Sequence, residues 1–214
     1  MRSMRAFKED DAMRKIAVLF SGNAPHTVTF NEPKYKQYID TLLYLPELAT
    51  TDLRAFDVLF VPSQLNKRLL LQNKDKIQAF ANAGGIVCAF GPQPWEWIPN
   101  QQWEDRETNF WWWLEPAADS GLRLTNPQHD LFTNYLTLAD ATWHQHGVYW
   151  PVDGVDVLVS TVDGGAVLYI DNVSAAGTWI VTTLDPDYHF GSYFMPATER
   201  FLDGFFPWLA NGKL

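Results

Sequence analysis

The sequence predicts an α/β domain: a mostly parallel sheet with helices on both faces. Three observations carry this. Short, continuous apolar runs recur at 15–21, 56–62 and 85–91, as in strands buried on both faces. A segment of helical periodicity separates each run from the next, which is the βαβ pattern. The chain has 214 residues and is 47% hydrophobic, enough for one large core without disulfide staples.

Residues 1–14 are mostly charged and polar and read as a flexible tail, so the single domain is expected over 15–214. The first strand is Lys15–Ser21. Gly22 and Asn23 open a loop through Pro25 and Pro33. A helix is expected from Pro33 to Leu45, with Tyr35, Tyr38, Ile39, Leu42 and Leu43 at helical spacing. Phe56–Pro62 is the next strand. Asn66–Ala83 reads as a helix burying Leu70, Ile77, Phe80 and Ala81 and stopped by Gly84-Gly85. Gly85–Gly91 is a third buried strand.

The stretch 92–150 differs. It holds Pro92, Pro94, Pro99, Pro116 and Pro127 and eight of the ten tryptophans, so it reads as an elaboration inserted after a core strand. Three strands separated by glycine-containing turns follow, at 156–160, 166–170 and 178–184. A helix begins at Pro196 and buries Phe201, Leu202, Phe205 and Leu209; Gly204 and Pro207 are expected to weaken or bend it.

Composition excludes several functions. The net charge of −9 is the opposite of a nucleic-acid footprint. One cysteine excludes an intrachain disulfide framework or a cysteine-rich zinc site. No apolar run is long enough to span a membrane, and the first residues lack the apolar core of a secretory signal, so a cytoplasmic protein without membrane or nucleic-acid partners is expected. Neither a phosphate-loop word nor Gly-x-Gly-x-x-Gly is present, so no nucleotide cofactor, and no cofactor of any kind, is predicted.

Three segments resemble the class I glutamine amidotransferase-like group, and within it the trehalose-utilisation-type branch. They are Leu53–Gln64, the helix and Ala-Gly-Gly strand of 77–91, and 178–209; Pro127-Gln128-His129-Asp130-Leu131 adds a weaker likeness. The resemblance implies a flavodoxin-like sheet with its site at the carboxyl edge. Active members of that group carry Gly-x-Cys-x-Gly-x-Gln at a sharp turn. Here the stretch is Val87-Cys88-Ala89-Phe90-Gly91-Pro92-Gln93, and aligning Gly91 and Gln93 puts Ala89 at the nucleophile position. Cys88 then faces the opposite side of the strand, as a buried small hydrophobe, with a reactive thiol as the alternative. The group's Phe-His-Pro-Glu word is Leu184-Asp185-Pro186-Asp187 here, so Asp185 replaces the histidine. The resemblance with these two departures implies no glutaminase activity.

Asp185, Asp187 and His189 follow the last strand, where open α/β sheets bind ligands. They are candidates for ligand contacts, a general base or metal ligation, against the alternative that Asp-Pro-Asp is turn chemistry. The expected pocket wall is Gly22, Asn23, Ser63, Gln64, Gly91, Gln93, Asp185 and His189, with Trp95 and Trp97 beside it. His144-Gln145-His146 on a strand would turn both imidazoles one way, a weak metal signal that His129 or an aspartate could complete, against the alternative of histidines facing water on a partly exposed strand. Trp95, Trp97, Trp103 and Trp111–Trp113, with nearby amides and carboxylates, suit the stacking of sugar rings; packing in the core or in a homo-oligomer contact is the alternative. The expected partner is a small polar molecule, carbohydrate-like in character, bound without hydrolysis. An enzyme acting on a sugar derivative through an Asp/His or metal site is the second reading, and a structural oligomer subunit the third.

Overall fold

The computed structural model describes residues 13–93, 95–108, 115, 118–193 and 195–214. Most of the expected tail and the Trp111–Trp113 run lie outside the described residues. The tail's end does not hang free: the Arg14 guanidinium donates to the carbonyls of Leu209 and Gly212 at 2.9 and 2.6 Å.

The first half alternates strand and helix. It runs β1 (Ile16–Phe20), α1 (Ala24–Asn31), α2 (Pro33–Lys36), β2 (Thr41–Tyr44), a 3₁₀ turn at Leu45–Thr50, β3 (Val58–Val61), α3 (Lys67–Gln72), α4 (Lys74–Asn82) and β4 (Ile86–Ala89). The elaboration holds β5 (Gln101–Asp105), β6 (Leu122–Leu124), α5 (Asp130–Asn134) and β7 (Gly147–Pro151). The chain closes with β8 (Asp156–Thr161), β9 (Ala166–Asp171), β10 (Thr178–Thr182), α6 (Pro186–Gly191) and α7 (Pro196–Asn211).

All the described strands join one ten-stranded sheet, in the order β2-β1-β3-β4-β10-β9-β7-β5, with β8 and β6 branching from β9. From β2 to β10 every pairing is parallel. From β10 onward the pairings are antiparallel. The parallel part has the flavodoxin-like order. Its connections diverge between β1 and β3, which makes that crevice the topological switch point.

Side chains alternate across the pleat and build two cores. Ile16, Val18, Phe60, Cys88 and Phe90 pack with Phe30 and with Phe201, Phe205 and Phe206 of α7. Ala17, Leu19, Leu59, Val61, Val87 and Ala89 pack on the other face with Leu70, Ile77, Trp97 and Trp179. Both faces are therefore covered, as the continuous apolar runs require. Among the described residues no helix is long and apolar enough to cross a membrane.

Four local expectations are corrected. Residues 41–44 are not the end of a helix but the edge strand β2, in register with β1 from Ala17↔Thr41 to Phe20↔Tyr44. The apolar spacing there fits a helix as well as a half-buried strand, and pairing with β1 decides between them. The 66–83 helix is two helices that meet at Asn73. Asp185-Pro186-Asp187 is no simple turn: Pro186 is the first residue of α6, a position where its missing N–H costs nothing. Helix α7 runs unbroken through Gly204 and Pro207. A Cβ at Gly204 would lie 2.5 Å from the Tyr135 carbonyl oxygen and from Leu136 Cδ2, so this glycine permits close packing rather than bending the helix. Burial of Phe205, Phe206, Trp208 and Leu209 outweighs the proline penalty of about 3 kcal/mol.

Candidate functional site

The carboxyl ends of β1, β3, β4 and β10 bring four loops together. Asn23 follows β1 and caps α1, its Oδ1 accepting from the His26 amide at 2.8 Å. That cap starts the helix early and swings His26 inward to full burial. Ser63 follows β3 and is also fully buried. From α6, Asp187 reaches into the switch-point crevice between them. Its Oδ2 accepts from the Ser63 amide at 2.9 Å and from the Ser63 hydroxyl at 3.0 Å. His26 Nε2 lies 2.9 Å from the same oxygen. Thr29 donates to the Asp187 carbonyl at 2.6 Å. The order of contacts is Ser–Asp–His, with the carboxylate central. A relay of the nucleophile–imidazole–carboxylate kind would need the imidazole between the other two. Asp187 therefore acts as a built-in hydrogen-bond acceptor. It fills a place where open α/β proteins receive ligand groups and ties α1, β3 and α6 together.

The turn after β4 is the second part of the site. Ala89 lies within β4, and the chain reverses two residues later at Gly91, whose φ is +81°. A Cβ there would stand 2.6 Å from Ser63 Cβ, so the turn accepts only glycine. The Gly91 amide donates to the Leu184 carbonyl at 2.7 Å. The next regular element among the described residues is β5, not a helix. The Tyr149 hydroxyl stitches the segment, donating to the Gly91 carbonyl at 3.1 Å and accepting from the Gln93 amide at 2.9 Å. Cys88 has no exposed surface, and burial, with the Asp187 charge second, pushes its thiol pKa well above the usual range.

The third part is an imidazole cluster at the end of β10. Asp185 Oδ1 lies 3.3 Å from His189 Nε2 across the first turn of α6, and the Trp143 indole donates to the same oxygen at 3.5 Å. The rings of His189 and His144 are 5.0 Å apart, and those of His144 and His146 5.4 Å. His144 is held down at about 4, chiefly by burial and then by the charges of His189 and His146, so it is neutral at pH 7. A cavity of about 210 Å³ opens against His189, lined also by Phe190, Tyr193, Met195, Pro196 and Glu199.

The structure thus joins two groups that the sequence held apart, His144–His146 and Asp185–His189. It separates others. Ser63, Gly91, Gln93 and Asp187 are buried within the packing rather than forming an open wall. Gly22 and Gln64 are exposed, and Asn23 is committed to its helix cap. Trp97 is no platform: it is fully buried, its ring 6.1 Å from that of Trp179. Trp95 is half-buried beneath the Lys67 ammonium, 5.3 Å from the ring centre. His144-Gln145-His146 is irregular chain ahead of β7, not strand. Among the described residues no group of three or more His, Cys, Asp or Glu side chains is placed to hold a metal ion.

Sequence reasoning missed His26, Trp143 and Tyr149. Asn23-Ala24-Pro25 is a readable helix start that would have put His26 on α1. Nothing local connects Ser63 to Asp187, 124 residues away.

No family model matches the chain, and no curated protein matches it. Among solved structures, it is similar to a protein from Bacteroides uniformis described as thua-like, with 12% identity over 94% of each chain and a TM-score of 0.49. It is also similar to Gan42B, a GH42 beta-galactosidase, with 12% identity and a TM-score of 0.42, covering 84% of this chain and 29% of that one. The functional reading therefore rests on the site itself.

Proposed function

We propose that this chain is a non-hydrolytic member of the glutamine amidotransferase-like group that binds a polar, carbohydrate-like small molecule at the carboxyl end of β10. The observation that carries the reading is the state of β4 and its turn. The sole thiol, Cys88, is fully buried on the α7 face with its pKa pushed up, and the turn residue Gly91 bears no side chain. Acyl transfer from glutamine needs an exposed, activated nucleophile, and neither position supplies one. His189 and Glu199 line the cavity beside the aromatic wall of Phe190 and Tyr193, with Asp185 and His144 packed behind the His189 ring, and that mixture of polar and aromatic groups suits a hydroxyl-bearing ligand.

Two measurements test this. Purified protein should release no ammonia from glutamine above a Cys88→Ser control, and iodoacetamide should label Cys88 only after denaturant is added. Rapid labelling of the folded protein, together with thiol-dependent ammonia release, would overturn the reading. Thermal shift against a panel of saccharides should find a ligand whose effect His189→Ala removes. The Asp185–His189 pair also favours a second reading, general-base chemistry on such a ligand. Turnover of the bound saccharide, lost in His189→Ala, would select that reading.

A further inference from the structure

A second groove lies at the other end of β10. The β9–β10 connection, which includes Val173, precedes β10, whereas Asp185 and His189 follow it. The groove encloses about 850 Å³ and is lined by Asn100, Gln101, Gln102, Trp150, Asp153 and Val173, among others. Asp153 is the lone formal charge among its lining residues. The rest is amide, aromatic and aliphatic.

We infer that this groove is a binding site for a neutral oligosaccharide, with Trp150 as the stacking platform and the amides of Asn100 and Gln102 as hydroxyl partners. Trp150 is 37% exposed, a large apolar ring left at the surface. Its indole N–H donates to Glu104 Oε2 at 2.7 Å, which anchors one edge and fixes the ring without covering it. Gln102 stands directly opposite Trp150 in the β5–β7 ladder, so the amide and the ring share one face of the ribbon. Asn100 is held in a left-handed conformation, φ 51°, and donates to Ser174 Oγ at 3.0 Å, which joins β5 to the β9–β10 turn.

The lining disfavours two other ligand classes. An anion would meet Asp153 and the net charge of −9 without a compensating cation. A purely apolar ligand would strip water from the amides of Asn100 and Gln102 and return no hydrogen bonds. A neutral sugar chain offers an apolar ring face to Trp150 and hydroxyls to the amides. This site is independent of the reading made for the β10 carboxyl end.

The test is fluorine NMR of protein carrying 5-fluorotryptophan, with the Trp150 resonance identified by its loss in Trp150→Phe. The probes are neutral tetrasaccharides: α-1,4-glucan, β-1,4-glucan, β-1,4-galactan and β-1,4-mannan. At least one should move the Trp150 signal saturably while the buried Trp208 signal stays fixed. Trp150→Ala should weaken calorimetric binding about tenfold, and Gln102→Ala about threefold. Trp150→Phe should recover part of the loss, with binding compared at a temperature where circular dichroism shows each variant folded. The inference is overturned if no probe moves the signal by about 10 mM, which corresponds to affinity too weak to matter. It is equally overturned if a sugar binds without moving it, an outcome that spares the other site. A Trp150 signal that shifts with protein concentration alone would assign the groove to a second copy of the chain instead.

Discussion

Removing the Asp187 carboxylate should cost more stability than any other single deletion at the sheet's carboxyl edge. In Asp187→Ala the Ser63 amide and hydroxyl, now bonded at 2.9 and 3.0 Å, lose their acceptor in a buried crevice. His26 Nε2, 2.9 Å away, loses its partner as well. Hydrogen bonds to a charged group contribute about 1.5–3 kcal/mol each, and breaking a buried pair from one side typically costs about 3–5 kcal/mol. The expected loss is about 3–5 kcal/mol, a large part of the roughly 5–15 kcal/mol that holds a domain together. For a chain of this size that lowers the melting temperature by about 6–20 °C. The assay is urea unfolding followed by circular dichroism, in which the midpoint should fall with the slope unchanged. Ser63→Ala removes only the hydroxyl donor and should cost about 1 kcal/mol. The double variant should cost less than the sum, because both substitutions break the same bond. An Asp187→Ala protein within about 1 kcal/mol of the wild type would refute the reasoning, since the crevice would then be tolerating orphaned donors.

Two further substitutions probe the same edge. Gly91→Ala forces a Cβ to 2.6 Å from Ser63 Cβ at a φ of +81°, and should destabilise by more than about 2 kcal/mol in chemical denaturation. His144 gives a pH dependence of known sign. The unfolded imidazole takes its proton near 6.5 and the folded one only near 4, so in between the unfolded chain binds more protons. The stabilising contribution is complete above the upper value and is lost as pH falls through the lower one. Stability should fall there by at most about 1.4 kcal/mol per pH unit from this group, and His144→Gln should flatten that part of the profile against the wild type.

Much of the architecture was legible because it is local. The apolar runs at β1, β3 and β4 are buried on both faces, and only parallel strands between two helical layers produce that pattern. The opposite facing of Cys88 and Ala89 follows from the two-residue period of a strand, and each lies in a different core. β2 was not legible, because four residues of half-buried strand look like one turn of amphipathic helix until β1 pairs with them. The tryptophans show the same limit. Composition marked 92–150 as tryptophan-rich but could not tell buried Trp97 from exposed Trp150, because burial depends on what the far end of the chain lays over each ring.

What the sequence determined alone was therefore the alternation of elements, the βαβ winding, the acidic surface and the absence of a nucleotide-binding loop. These follow from periodicity, charge and short-range turn chemistry. What only the tertiary structure decided was which side chains meet. Asp187 reaches Ser63 across 124 residues, and His144 comes to lie against His189. Hydrogen bonds and desolvation act through space over a few ångströms, and no local pattern in the chain records which distant loops will be brought that close.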